Sequence, residues 1–182
     1  MARIGIYGGT FDPIHVGHLH VIEQVIAKDL VDQLIVVPAG QPLLRTSAPV
    51  ASAENRRQMC QLAIKDLRAD VAAKVFVNPI EILRTGPSYA IDTVEAIKQT
   101  YPDDQLVLII GQDAAEKLEQ WHRVEDLKGL VEFLIIKRPG FSGNGTEIGA
   151  IDVAATSIRQ GVSADVSSSV ATFIRENNLY DN

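Results

Sequence analysis

Arg3-Ile4-Gly5-Ile6-Tyr7 runs directly into Gly8-Gly9-Thr10-Phe11-Asp12-Pro13-Ile14-His15-Val16-Gly17-His18. This reads as a strand, a diglycine bend and the opening of a helix. In an open α/β sheet such a bend lies at the carboxyl end of a strand, where ligands bind. Gly8 and Gly9 let the backbone turn tightly and come close to a ligand. Thr10 offers a hydroxyl to a phosphate or ribose. His15 and His18 are three apart and so share one helix face, at or just inside an N-terminus whose free N–H groups and dipole favour an anion. Gly17 between them removes a side chain that could block close approach. Two histidines there suit phosphate chemistry, because a phosphoryl-transfer transition state spreads negative charge that positioned donors stabilise. The spacing does not match the helical His pair four apart that zinc favours, and no partner Cys or carboxylate is evident, so no protein-bound metal is expected.

Outward from this stretch, short β-branched runs at 3–7, 33–38, 74–77, 106–110 and 131–137 alternate with amphipathic segments near 16–29, 53–67, 89–99, 113–120 and 124–129. The run at 106–110 is apolar throughout, as a strand covered on both faces must be. Ser52 is a fitting N-cap for the second helix, with Glu54 in its first turn. This alternation predicts an α/β fold: an open, mainly parallel, Rossmann-like sheet of five or six strands flanked by helices. The stretch from Gly140 to Gly149 reads as a surface loop, since no strand-to-helix frame surrounds its glycines. Two short helices near 155–161 and 166–177 close the chain, and Ser167-Ser168-Ser169 reads as cap and turn chemistry. We expect a single domain over 1–182, with 155–182 as its C-terminal helical part.

At 182 residues the chain can bury a full core without disulfide or metal. Its 46% hydrophobic and 22% charged residues suit a soluble globular protein. The single cysteine, Cys60, excludes an internal disulfide and sits at helical spacing from Ile64, so it reads as a core residue. Met1-Ala2-Arg3-Ile4-Gly5 leads straight into the strand without the pattern of a signal peptide. No apolar run approaches the roughly 20 residues of a membrane helix, so a cytoplasmic protein without membrane contact is expected. A net charge of −6 argues against long nucleic acid as a partner. A small phosphorylated ligand remains compatible, because local His, Arg and helix dipoles outweigh a mild global charge.

The first motif resembles that of the nucleotidyltransferase superfamily with the His-x-Gly-His signature. Within it the chain looks like the bacterial nicotinate-nucleotide adenylyltransferases. The resemblance runs from Arg3 to Tyr180 and is weakest around 140–152. It implies the nucleotidylyl transferase fold, transfer of AMP from ATP to nicotinate mononucleotide in NAD biosynthesis, release of pyrophosphate, no covalent enzyme intermediate, and Mg²⁺ arriving with ATP. By the same resemblance His15 and His18 are the catalytic pair that contacts the ATP phosphates. Gly8, Gly9, Thr10, Phe11, Gly17, Gly111, Asp113, Thr156, Ile158 and Arg159 fall at ATP-binding positions. Arg159 would pair with phosphate by charged hydrogen bonds.

For the acceptor, Thr85, Gly86 and Tyr89 lie in a stretch that begins a helix beside the pyridine ring in that family, and a helix start suits a carboxylate. Trp121, flanked by Glu119, Gln120, His122 and Arg123, lies off any apolar stripe. A pyridinium fits its indole face, and His122 would join Gly86 in holding the carboxylate. Arg45 is the basic residue left to meet the acceptor phosphate. There are departures. Leu44 replaces a histidine, Ala154 and Ala155 replace two serines, Glu119 stands where proline is usual, and the segment before Thr156 is short. The sister phosphopantetheine enzyme shares the first motif, but a flexible pantetheine arm does not call for a stacking tryptophan. Nicotinamide mononucleotide is a closer competitor for the site. The losses at Leu44, Ala154 and Ala155 also motivate a nucleotide-binding paralogue without turnover.

Overall fold

The structure is a computed structural model that describes residues 1–42, 47–140 and 143–180. Five strands form one sheet: β1 (Arg3–Gly9), β2 (Gln33–Pro38), β3 (Val75–Val77), β4 (Gln105–Gly111) and β5 (Glu132–Ile136). Their order is β3-β2-β1-β4-β5, and every named pair is parallel. The expected α/β sheet is thus present with five strands. The chain winds outward from β1 to β3 on one side, then returns to lay β4 and β5 on the other. The order therefore reverses between β1 and β4, whose carboxyl ends, Gly9 and Gly111, open a crevice at the switch point.

Alternation along each strand sends successive side chains to opposite faces. Leu34 and Val36 pack with Ile22 and Val25 of α1 (Val16–Ala27), Met59 and Cys60 of α2 (Ala53–Lys65) and Val170 of α9 (Ser168–Glu176). Ile35 and Val37 face the other way, with Ile4, Ile6, Leu108 and Ile110. They meet Ile91, Val94 and Ile97 of α5 (Ala90–Thr100) and Leu127 of α7 (Val124–Leu130). Burial on both faces explains the unbroken apolar run of β4. Full burial of each such Leu or Ile contributes roughly 1.5–3 kcal/mol. Cys60 is a buried member of this core, as expected, and burial pushes its thiol pKa up. Ser52 caps α2, its hydroxyl accepting from the Asn55 N–H at 3.1 Å.

Two short helices escape the periodicity: α3 (Ala69–Ala72) and α4 (Ile80–Leu83). Each is a single turn, too short to show a period. The helix expected over 113–120 is broken. It forms α6 (Gln112–Ala115) and then a 3-10 turn, Leu118–Gln120, closed by a Trp121 N–H bond to the Leu118 carbonyl at 3.0 Å. A continuous helix would carry the chain away from the sheet. The break returns Trp121 to the crevice. Among the described residues no helix is long and apolar enough to cross a membrane.

Candidate active site

The crevice at the switch point is a cleft of about 780 Å³. Its floor is the β1–α1 bend. Gly8 is open above, where an added Cβ would meet nothing nearer than the Val37 carbonyl at 4.0 Å. Gly9 is needed for a different reason: a Cβ there would come within 2.8 Å of the Phe11 ring. Phe11 is 2% exposed at a left-handed φ of 51°. Its ring meets Tyr7 and His18 edge-on, at 5.8 and 5.0 Å between centroids. This residue backs the histidines as much as it lines the cleft.

Asp12 fixes the bend. Its carboxylate accepts from the Val50 N–H at 2.8 Å, the Ala51 N–H at 3.0 Å and the Tyr180 hydroxyl at 2.8 Å. Arg159 donates to the Asp12 carbonyl at 2.6 Å and to the Thr156 hydroxyl at 3.0 Å. The buried Arg56 donates to the Thr10 carbonyl at 2.7 Å. One buried residue therefore joins the bend to the start of α2, to α8 (Ala155–Arg159) and to the chain's last turn. Arg159 lines the cleft as expected, but much of its guanidinium is spent on holding this joint.

His15 is the N-cap of α1 in extended conformation, and His18 lies three residues on. Their rings stack with centroids 3.7 Å apart. The His15 N–H donates to Nδ1 of His18 at 3.2 Å. A neutral His18 therefore carries its proton on Nε2. Burial, with help from Arg138, pushes the His15 pKa down to about 4. Burial, then His15, then Arg138 push His18 well below the ordinary range. Both rings are thus neutral at pH 7, and His15 Nδ1 is buried with no hydrogen-bond partner among the described residues. Gly17 serves the pair directly: a Cβ there would press the His15 ring at 3.1 Å.

The opposite wall comes from β4 and β5. Gly111 ends β4, and Asp113 in the first turn of α6 lies 3.6 Å from Arg138 beyond β5. The far end carries Tyr89 and His122, whose rings sit 4.3 Å apart, beside Trp121. Trp121 packs on the apolar cluster under α5, which the sequence did not suggest, and its indole N–H is buried with no partner among the described residues.

The structure thus gathers Gly8, Gly9, Thr10, Phe11, His15, Gly17, His18, Tyr89, Gly111, Asp113, Trp121, His122, Thr156 and Arg159 around one cleft. Three expected residues do not line it. Ile158 points into the core at 7% exposure, because on the short α8 it faces inward while Thr156 faces out. Thr85 and Gly86 run outside the wall, and the chain turns inward only at Ser88, pinned by the Gly40 and Gln41 N–H groups at 3.0 and 3.1 Å. Arg45 and Leu44 lie outside the described residues. Sequence reasoning missed Arg138, a cleft cation whose charge acts on both histidines, although its place just past the end of β5 obeys the same strand-end rule that located Asp113. It also missed the structural part of Asp12 and the roof from Ala150 to Ala154.

A family model for cytidylyltransferase-like proteins matches residues 6–173. Fold and site therefore define the class as a nucleotidyltransferase with a switch-point histidine pair. A probable nicotinate-nucleotide adenylyltransferase of Bacillus pumilus (strain SAFR-032) is 34% identical over 199 aligned residues, spanning 100% of both chains. The nicotinate-nucleotide adenylyltransferase of Bacillus subtilis (strain 168) is 33% identical over 193, again across 100% of both. The chain belongs to the nicotinate-nucleotide adenylyltransferase family. A Plasmodium falciparum nicotinic acid mononucleotide adenylyltransferase complexed with NaAD shares the fold at a TM-score of 0.85 and 20% identity, covering 100% of this chain and 98% of that one.

Proposed function

We propose that this chain transfers AMP from ATP to nicotinate mononucleotide, giving nicotinate adenine dinucleotide and pyrophosphate. An oxygen of the acceptor's phosphate attacks the α-phosphorus. The bond from that phosphorus to the bridging oxygen breaks, and pyrophosphate leaves with the electron pair. The attacking phosphate is already anionic, so no general base is required. The stacked pair at the α1 N-terminus carries this reading: His18 Nε2–H, fixed as a donor by the bond at its Nδ1, is poised for developing phosphoryl charge.

Arg138 supplies the positive charge that two neutral rings lack. Gly8, Gly9 and Thr10 form the floor for ATP, with Asp113, Thr156 and Arg159 around it. Ile158 contributes support from the core. Tyr89, Trp121 and His122 receive the pyridine, Thr85 and Gly86 flank that end, and Arg45 is the basic residue for the acceptor phosphate. Among the described residues no cluster of three or more His, Cys, Asp or Glu could hold a metal ion. Asp113 on the ATP wall would instead suit an ion carried in by the triphosphate. Asp113 would hold such an Mg²⁺ against the ATP wall, and the ion would neutralise phosphate charge.

Pyrophosphate release measured side by side with nicotinate mononucleotide, nicotinamide mononucleotide and phosphopantetheine tests the assignment. Nicotinate mononucleotide should give the highest kcat/KM. A higher value with either of the others reassigns the acceptor, and ATP binding without product from any of them would identify a paralogue that has lost turnover.

A further inference from the structure

Glu81 is a buried ionisable group on the cleft wall that the transfer itself leaves without a task. It stands on α4, is 8% exposed, and lines the acceptor half with Ser88, Tyr89 and Thr93. The Thr93 hydroxyl donates to Glu81 Oε1 at 2.7 Å. The Ser88 hydroxyl and the Gly40 N–H also favour its carboxylate, against a burial that raises its pKa overall. Ser88 Oγ accepts from the Gly40 and Gln41 N–H groups, and the Ser88 N–H returns a bond to the Gln41 carbonyl at 3.1 Å. Gly40 sits so close that a Cβ there would fall 2.1 Å from the Glu81 carbonyl oxygen. Arg84, whose charge acts on Glu81, donates to the Thr93 hydroxyl at 3.3 Å.

Glu81 so placed touches two separate segments, through its backbone at Gly40 and through its carboxylate at Thr93. One is the chain leaving β2, which carries Gly40, Gln41 and the cleft residue Pro42. The other is the start of α5, which carries Ser88 and Tyr89. These are the walls between which the acceptor sits in the functional reading above, and this inference rests on that reading. We propose that Glu81 is a positioning residue for the acceptor: its backbone packs on Gly40 of the chain after β2 while its carboxylate holds Thr93 of α5, so that the two walls keep one spacing. It touches no reacting atom. A wall that drifts loosens the bound pyridine nucleotide and leaves the ATP side, built on β1 and β4, unchanged.

Steady-state kinetics on wild type, Glu81→Ala, Glu81→Gln and Thr93→Val test this. The acceptor is whichever of nicotinate and nicotinamide mononucleotide the wild type turns over. Glu81→Ala should raise the acceptor KM about tenfold or more, the scale for unmaking a buried hydrogen-bonded charge. The ATP KM and kcat should stay within about twofold. Glu81→Gln, which keeps an oxygen for Thr93, should recover most of the loss. Thr93→Val should shift the same KM in the same direction, and the Glu81→Ala/Thr93→Val double variant should be no worse than Glu81→Ala. Equal rises in both KM values, or an acceptor KM unmoved by Thr93→Val, would overturn the proposal. The valine and glutamine variants carry the test if the alanine variant does not fold. Wild-type turnover tests the functional reading separately from this pattern.

Discussion

Acidification should cost this protein stability well above the pH where carboxylates titrate, and the histidine pair sets the size of the effect. Unfolding frees His15 from a site where it is 6% exposed and returns its pKa from about 4 to the ordinary 6.5. Between those values the unfolded chain binds a proton that the folded chain refuses, so stability is full above pH 6.5 and falls as pH drops toward 4. The whole step is worth about 3 kcal/mol at most, with about 2 kcal/mol gone by pH 5. His18 acts in the same direction. Glu81, whose pKa is raised, acts oppositely in the carboxylate range. Urea unfolding of wild type and His15→Asn between pH 7.5 and 4.5 isolates the histidine contribution as the difference between the two curves. That difference should shrink by roughly 2 kcal/mol over the range. In NMR the folded His15 imidazole should stay uncharged until the pH nears about 4. A constant difference, or a His15 ring that titrates near 6.5 in the folded protein, would refute neutral burial and with it the donor role of His18.

Three further outcomes follow from the same geometry. His18→Ala should lower kcat by roughly 10²–10³, the effect of one lost transition-state donor; rapid-quench turnover at saturating substrates checks it. Ala154→Ser restores a hydroxyl at the N-cap of α8 and should stabilise by about 1 kcal/mol in thermal unfolding, with a lower KM for ATP. Trp121→Ala should raise the acceptor KM about fivefold, as loss of a stacked ring of about 1 kcal/mol would, with Trp121→Phe recovering part of it.

The five strands were legible because each is a β-branched run bounded by polar residues, and a strand's period of two survives in even a short segment. What escaped detection was single-turn structure. α3 and α4 contain four residues each, less than the span over which a 3.6 period can be counted. Site residues at strand ends were legible for a related reason: the sheet's direction fixes where Gly9, Gly111 and their followers must lie. Glu81 and Asp12 were not, since their partners are 12 to 168 residues away along the chain and no local pattern encodes such bonds. Ile158 shows the opposite failure. It stands beside Thr156 and Arg159 in sequence, and a five-residue helix still has a face turned to the core.

Burying the histidines neutral has a consequence for how the site divides its work. A charged imidazolium would bind ATP strongly in its ground state and gain little more as the α-phosphate reacts. A neutral Nε2–H, already oriented by the His15 amide, costs little reorganisation and gains in strength as charge builds on the oxygens it meets. In the proposed reaction net attraction for the triphosphate would then fall to Arg138 and to the α1 N-terminus, because Arg159 is committed to the Asp12 joint. Binding and rate should therefore separate by residue. Arg138→Ala should act mainly on the KM for ATP and His18→Ala mainly on kcat, and a common proportional loss in both would mean that the charge and the donor work as one unit.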